Sequence, residues 1–342
     1  MKSKSIFAFL CVIILVMGIF TGCGKKDDTA PAGDQTNGES RKILVNGSTS
    51  VQPLADELVK KYKEAHPNDV IDIQGGGSGV GIKAAMDGTS DIGMSSRELK
   101  DEEKSLKEYK IAIDGIAVIV NPANSVEDLT TEQIRKIYTG EIKDWSEIGG
   151  KSGKITVVTR EEGSGTRGAF IELTGLEVEE NGNKVDKTMA GAITQGSTGA
   201  VMTTVAGDES SIGFASFGSV EGSKDLKVLK VDGNECTEDN IYSSTYKLAR
   251  PFLLVTKEEP TGLAKDFIDF ANEQNRYESL KRDEIRLDRM FDRTIYAKEI
   301  ETLAVKLANE FISNLNHGKD VEKSVAAVSE EVHRYSTDKR GR

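Results

Sequence analysis

Along residues 41–270, short apolar runs alternate with segments whose apolar positions recur every three or four residues. Ile43-Leu44-Val45 is followed by Leu54, Leu58 and Tyr62 on one helical face, and Val70 to Ile73 is followed by Ile82 and Met86. A run of about four to eight apolar or β-branched residues fits a buried strand, and the wider spacing fits an amphipathic helix. Further strands are predicted at Ile111-Ala112, Gly115 to Val120, Ile155 to Val158, Ile212 to Ala215 and Pro251 to Val255. Strand alternating with helix defines an α/β fold class.

The pattern changes near residue 271. Of the 34 glycines only Gly318 and Gly341 lie beyond it, and no proline follows Pro260. Ile300, Leu303, Leu307, Phe311 and Leu315 recur at helical spacing up to a stop at His317-Gly318. Asp320 then serves as an N-cap for a second face of Val321, Val325, Val328 and Val332. A helical C-terminal extension is therefore predicted over 271–342. Its acidic and basic residues are equal in number and interleaved, as on a solvated face.

At the other end, Lys2 and Lys4 precede an apolar run from Ile6 to Phe20. At about 15 residues it falls short of the roughly 20 that span a bilayer as a helix, so residues 1–22 read as an export signal and a short signal anchor is the weaker alternative. The tripeptide before Cys23 resembles a bacterial lipobox, which makes Cys23 the expected site of lipidation and the cell membrane, on its extracytoplasmic face, the expected location. Residues 23–40 are polar and without apolar periodicity, and read as a flexible tether. With Cys11 in the removed segment and Cys23 acylated, Cys236 is left alone, so no intrachain disulfide is expected.

Net charge bears on partners. The chain carries 45 Lys+Arg against 56 Asp+Glu, a balance of −11, which becomes −13 once Lys2 and Lys4 leave with the signal. A nucleic-acid partner is not expected of so acidic a chain. A small anion in a closed cleft, however, responds to its nearest donors and dipoles, and distant surface charge is screened.

Those donors recur at strand–helix junctions. Gly47-Ser48-Thr49-Ser50, Gly77-Ser78-Gly79 and the segment Arg160 to Thr166 each follow a predicted strand. The first turn of a helix presents unpaired N–H groups and a partial positive charge, serine and threonine add hydroxyl donors, and glycine lets the backbone approach. One such segment alone is an ordinary capped turn; three of them, one with an arginine, make an oxyanion site. Several charge-assisted hydrogen bonds of about 1.5–3 kcal/mol each are enough for micromolar binding, which needs about 8 kcal/mol.

Enzymatic readings of the same loops lack their residues. No Gly-Lys-Ser/Thr and no Gly-x-Ser-x-Gly occurs, and the dinucleotide-like Gly79-Val80-Gly81-Ile82-Lys83-Ala84 lies inside a predicted helix rather than at its entry. His66, His317 and His333 are too few and too scattered for a metal cluster or a serine triad, and read as surface or capping residues. Neither catalysis nor a cofactor or metal is expected.

Over residues 41–270 the chain resembles the phosphate-binding component of bacterial phosphate ABC importers. The resemblance rests on Gly47 through Pro53, Gly75-Gly76-Gly77-Ser78-Gly79, Asp91 through Arg97, Asp114-Gly115-Ile116-Ala117, Arg160 through Thr166, Ile212-Gly213-Phe214-Ala215 and Arg250-Pro251-Phe252. It implies a two-domain Venus-flytrap periplasmic binding protein fold (type II), with binding domain I from 41–115 plus 247–270 and binding domain II from 116–246. It implies inorganic phosphate as ligand and membrane permease subunits of an ABC importer as partners. By position, Thr49 and Ser50 are similar to first-loop ligands, Ser78 to the second-loop donor, Ser164, Gly165 and Thr166 to the helix-entry donors, and Arg160 to the phosphate-binding cation. Glu162 stands where the family commonly has a carboxylate that orients this arginine, and Arg97 is placed to add charge nearby.

One position departs from part of the family. Ser96 stands where some members have an aspartate that accepts the proton of hydrogen phosphate and repels sulfate. The loops themselves therefore argue for a tetrahedral oxyanion, and sulfate or another such anion is the alternative ligand. An adhesion or signalling lipoprotein retaining the fold is the alternative of another class.

Overall fold

The computed structural model describes residues 40–275. The strands β1 (Lys42–Gly47), β2 (Val70–Gly75) and β3 (Ile92–Ser95) are joined through helices α1 (Gln52–Ala65) and α2 (Ser78–Asp87). Helix α1 carries Pro53 in its first turn, where a missing N–H is not needed, and turns Ala55, Leu58 and Tyr62 inward. Burying each of the larger two contributes about 1.5–3 kcal/mol. His66 caps its end and stacks on Tyr62, ring centroids 4.4 Å apart. Helix α2 lies flat on β1 because Gly81 has no side chain: a Cβ there would stand 2.6 Å from the Cα of Gly47. The dinucleotide-like glycines are thus packing residues inside a helix.

Where the pattern predicted two strands, one long strand forms: β4 runs from Lys107 to Val120. After it come β5 (Asp128–Leu129), α3 (Thr131–Thr139), β6 (Thr156–Arg160), α4 (Gly165–Leu173), the hairpin β7 (Glu177–Glu180) and β8 (Asn183–Asp186), β9 (Ile193–Gln195), α5 (Thr198–Gly207), β10 (Ser211–Ser216) and α6 (Phe217–Val220). Then β11 (Lys227–Val228), β12 (Lys230–Val231), α7 (Glu238–Tyr242) and β13 (Ala249–Thr256) follow, and a last helix, α8, covers 262–275. The β7–β8 hairpin escaped the apolar pattern because its strands are mostly charged. Its signal is the turn, Asn181-Gly182, with φ of 53° and 77°.

The principal sheet runs β2-β1-β3-β13-β4-β10-β6-β9, with β11 also on β4. Strands β1, β2 and β3 are mutually parallel, as are β6, β9 and β10, while β4 and β13 are antiparallel to each other. Strand β4 changes partner midway. Lys107 to Gly115 pair with β13, and Ile116 to Val120 pair with β10.

That change of partner separates two hydrophobic cores. One gathers Val45, Leu58, Tyr62, Met94, Ile111, Phe252, Phe267 and Ala271; the other gathers Ile116 to Val120, Tyr138, Trp145, Phe170, Val205 and Phe214. In the second, Phe170 and Phe214 stack at 4.1 Å between centroids, with Tyr138 4.9 Å from Phe170. A smaller group, including Ile82, Leu99, Leu253 and Val255, lies where residues alternate with Phe252 and Leu254 along β13.

Helix α8 runs through residue 271, and Ala271 is buried in the first core, so the compositional change there is not a structural break. The remainder of the predicted extension, 276–342, lies outside the described residues, as do the export signal, Cys23 and most of the tether. No helix among the described residues is long and apolar enough to cross a membrane.

Candidate functional site

Helix N-termini follow the C-terminal ends of β1, β2, β6 and β9, the edge at which open α/β sheets carry their ligands. Four of these junctions, from two different cores, are bonded to one another. Ser50 Oγ lies 2.7 Å from Thr166 Oγ1 and 2.9 Å from Thr198 Oγ1. Ser78 Oγ accepts the backbone N–H of Ser96 at 3.0 Å and lies 3.2 Å from its hydroxyl. The N–H of Gly79 donates to the carbonyl of Gly163 at 2.9 Å. This closeness depends on Gly165, the first residue of α4, where a Cβ would collide with Ser78 Oγ and lie 2.8 Å from Ser96 Oγ. Ser164 caps α4 by accepting the N–H of Arg167 at 3.2 Å, a contact worth about 0.5–2 kcal/mol.

Two buried arginines donate into this hydroxyl cluster. Arg160, at the end of β6 and 2% exposed, gives Nη1 to Thr198 Oγ1 and Nη2 to Thr49 Oγ1, both at 3.2 Å. Its fork is held by Glu161, at 2.8 Å from Nε and 2.7 Å from Nη2. Arg250, on β13, gives Nη1 to the carbonyl of Ser96 at 2.7 Å and to Thr166 Oγ1 at 2.8 Å. Its Nη2 meets Asp114 Oδ2 at 3.0 Å, directly across the β4–β13 ladder. Asp114 also accepts from Ser216 Oγ at 2.8 Å and from the N–H of Gly218 at 3.4 Å. Burial holds the Asp114 carboxyl above the ordinary aspartate value, against the pull of Arg250, and holds Arg250 below its own. Both members of this pair carry the cost of desolvated charge.

Of the residues singled out from the sequence, Thr49, Ser50, Ser78, Ser96, Arg160 and Thr166 meet in this network, with Gly165 packed against it and Ser164 capping beside it. Two assignments are corrected. The carboxylate that orients Arg160 is Glu161 and not Glu162, because the N–H of Glu161 is pinned to Gln195 of β9 while Glu162 faces solvent in the turn. Arg97 does not donate into the cluster; its guanidinium is taken up by both oxygens of Glu103 at 2.7 and 2.8 Å and by the carbonyl of Glu98.

A family model described as the PBP superfamily domain matches residues 29–274. The phosphate-binding protein PstS of Bacillus subtilis is 31% identical over 294 residues, covering 83% of this chain and 94% of that protein. The chain belongs to the PstS family of the PBP superfamily. Among solved structures, a phosphate ABC transporter substrate-binding protein from Clostridium perfringens with bound phosphate aligns at a TM-score of 0.63 with 42% identity, covering 67% of this chain and 92% of that one. An ABC-type phosphate transport receptor from Vibrio cholerae aligns at 0.57 with 38% identity, covering 69% and 96%. The mixed α/β sheet described above is thus the two-domain PBP fold, and the PstS relatives are substrate-binding transport proteins rather than enzymes.

Four residues of this hydrogen-bonded network were not singled out by sequence reasoning. Ser48 accepts the N–H groups of Ser50 and Val51 and donates to Ser96 Oγ at 2.9 Å. Thr198 opens α5, and its signal was available: Gly196-Ser197-Thr198-Gly199 repeats the glycine–hydroxyl turn of the other loops. Arg250 and Asp114 sat inside quoted motifs without a role, although an arginine within the apolar run of β13 requires a buried partner. Cys236 lies buried close to Gly115, its thiol pushed up to about 12 mainly by burial, and is protonated at any physiological pH.

Proposed function

We propose that this chain is the extracytoplasmic receptor of an ABC phosphate importer, taking inorganic phosphate at the hydroxyl cluster and presenting it to membrane permease subunits. The observation that carries this reading is that hydroxyls from both cores, with Arg160 behind them, converge at the N-termini of α1, α2, α4 and α5. Helix N-termini and buried guanidinium groups are donors without acceptors, and suit a dianion that must leave water. Each arginine has its own carboxylate, so the cluster offers little net charge and holds the anion through aligned donors. The phosphate-bound relative from Clostridium perfringens supports the same ligand.

In this reading the two cores are two domains, 41–115 with 247–270 and 116–246, hinged where β4 and β13 cross between them, and ligand favours closure. Thr49, Ser50, Ser78, Ser96, Arg160, Ser164, Gly165, Thr166 and Thr198 surround the anion, and a lipid on Cys23 keeps the receptor at the membrane. Calorimetric titration with phosphate and with sulfate tests it. Phosphate is expected to bind in the micromolar range or tighter and sulfate much more weakly. Equal affinities favour the broader oxyanion binder that Ser96 allows, and no anion binding at all removes the receptor reading in favour of an adhesion or signalling role.

A further inference from the structure

An apolar groove lies outside the hydroxyl cluster. Leu54 and Leu58 of α1, Ile111 and Ala112 of β4 and Ala271 of α8 form its wall, with Tyr242 of α7 beside them. Its volume is about 150 Å³. Apolar space of that size takes a group as large as a benzene ring, and side chains that line a void forgo the dispersion contacts an occupant would supply. Leu58, Ile111 and Ala271 belong to the first core, whereas Tyr242 follows Ile241 of the second, so an occupant touches elements of both.

The place where the described chain ends points to that occupant. Gln274 and Asn275 line the same groove, and residues 276–342 continue from its rim. Within them Ile300, Leu303, Leu307, Phe311 and Leu315 repeat at helical spacing. Such a stripe is stable only against another apolar surface. Phe311 supplies its one aromatic ring, the size the groove accepts. A segment joined to the rim is present there at an effective concentration on the order of millimolar, and a longer connecting loop lowers this only slowly. A separate partner carrying the same stripe has no such advantage.

Charge agrees with this pairing. Glu57 and Lys61 stand four residues apart along α1 at the edge of the groove, and Lys306 and Glu310 flank Leu307 and Phe311 at the same spacing. A helix running in the same direction as α1 sets each charge against its opposite, and the reverse direction sets like against like.

We propose that the groove between α1, β4, α7 and α8 is the docking site of this chain's own segment 300–315, with Phe311 in the cavity. The receptor reading is not needed for it, and either can fail without the other.

The test uses the full chain carrying Lys61→Cys and Glu310→Cys together, which removes one opposite-charge pair whole, and a short bismaleimide as bridging reagent. Each single-cysteine variant serves as the blank, and the buried thiol of Cys236, pushed up to about 12, stays protonated and unreactive. The expected result is a bridge within one chain, at a yield that dilution does not change and that falls at least fivefold when Phe311→Ser is added. Amide exchange supplies a reading free of reagent geometry: peptides covering 54–62 should exchange at least tenfold faster in Phe311→Ser than in the parent. Ser313→Asp, on the opposite face of the pattern, should change neither. A bridge between chains makes a second copy the occupant and overturns the proposal. Exchange over 54–62 that is the same in the parent and in Phe311→Ser means that the segment does not cover the groove, and overturns it as well. Equal effects of Ser313→Asp and Phe311→Ser show that the apolar stripe is not what docks, with the same consequence.

Discussion

Arg160 and Arg250 are two buried arginines that feed one hydroxyl cluster, and they are held in opposite ways. Arg160 ends a strand, its carboxylate partner is the next residue in the chain, and Glu161 is 29% exposed. Arg250 lies within a strand, its partner stands across the ladder 136 positions away, and both side chains are nearly inaccessible, at 2% and 7%. The first pair is assembled by local sequence and keeps contact with water; the second exists only once β4 and β13 have paired. Similar chemistry therefore fixes a guanidinium near water at one end of the cluster and ties β4 to β13 at the other.

The comparison is most sharply tested by removing each guanidinium. Arg250→Met leaves Asp114 as an unpaired buried charge, and is expected to lower the free energy of unfolding by about 3–5 kcal/mol in urea. Joining Asp114→Asn to it should return a large part of that loss, because the desolvated charge is then gone. Arg160→Ala leaves Glu161 free to reach solvent, so the unfolding midpoint should move much less. Its effect should fall on phosphate affinity, by at least about 2 kcal/mol, or roughly thirtyfold. If Arg250→Met is as stable as the parent, or Arg160→Ala binds phosphate as tightly, the division of roles collapses.

A closer test concerns which acid orients Arg160. Glu161 places two charge-assisted bonds on the fork, whereas Glu162 is exposed. Glu161→Gln should weaken phosphate by about 1 kcal/mol through loss of that orientation, and Glu162→Gln should leave titrations unchanged. Tighter phosphate binding by Glu161→Gln would mean that the carboxylate acts mainly by cancelling charge.

These two arginines also mark how far sequence reasoning reached. The glycine–hydroxyl loops were legible because a helix N-terminus that takes an anion requires small and hydroxylic residues in a short window, as at Ser164-Gly165-Thr166. The strands were legible from short apolar runs, including the two halves of β4. Pairings over long separations were not. Nothing local to Asp114 says that Arg250 will stand opposite it, and nothing local to Thr198 says that α5 will point at Ser50. The choice between Glu161 and Glu162 failed for the converse reason: adjacent acids in one turn differ only in which way the backbone faces them, and that is decided by the bond from Glu161 to β9.

The smallest expected effect, and the one that separates the two regions by sign alone, is the response to acid. On the Arg160 side, Asp186 of β8 holds Arg167, which in turn donates to the carbonyl of Arg160 at 2.9 Å. Burial raises the Asp186 carboxyl, but the bonds from Thr188 and Arg167 outweigh it and leave Asp186 below the ordinary aspartate value of 3.8. A depressed acid stabilises the fold above its unfolded value, and that stability is lost as pH falls through the folded one. Asp114 is shifted the other way, chiefly by burial, above 3.8. The folded protein then keeps that proton longer than the unfolded chain, so this contribution is full at low pH and is lost as pH rises through the raised value. Unfolding in urea between about pH 3 and pH 6 should therefore show the parent gaining on Asp186→Asn as pH rises and losing ground to Asp114→Asn. If both differences run in the same direction, the Asp114–Arg250 pair carries no desolvation cost, and the contrast between a wet arginine site and a dry one is mistaken.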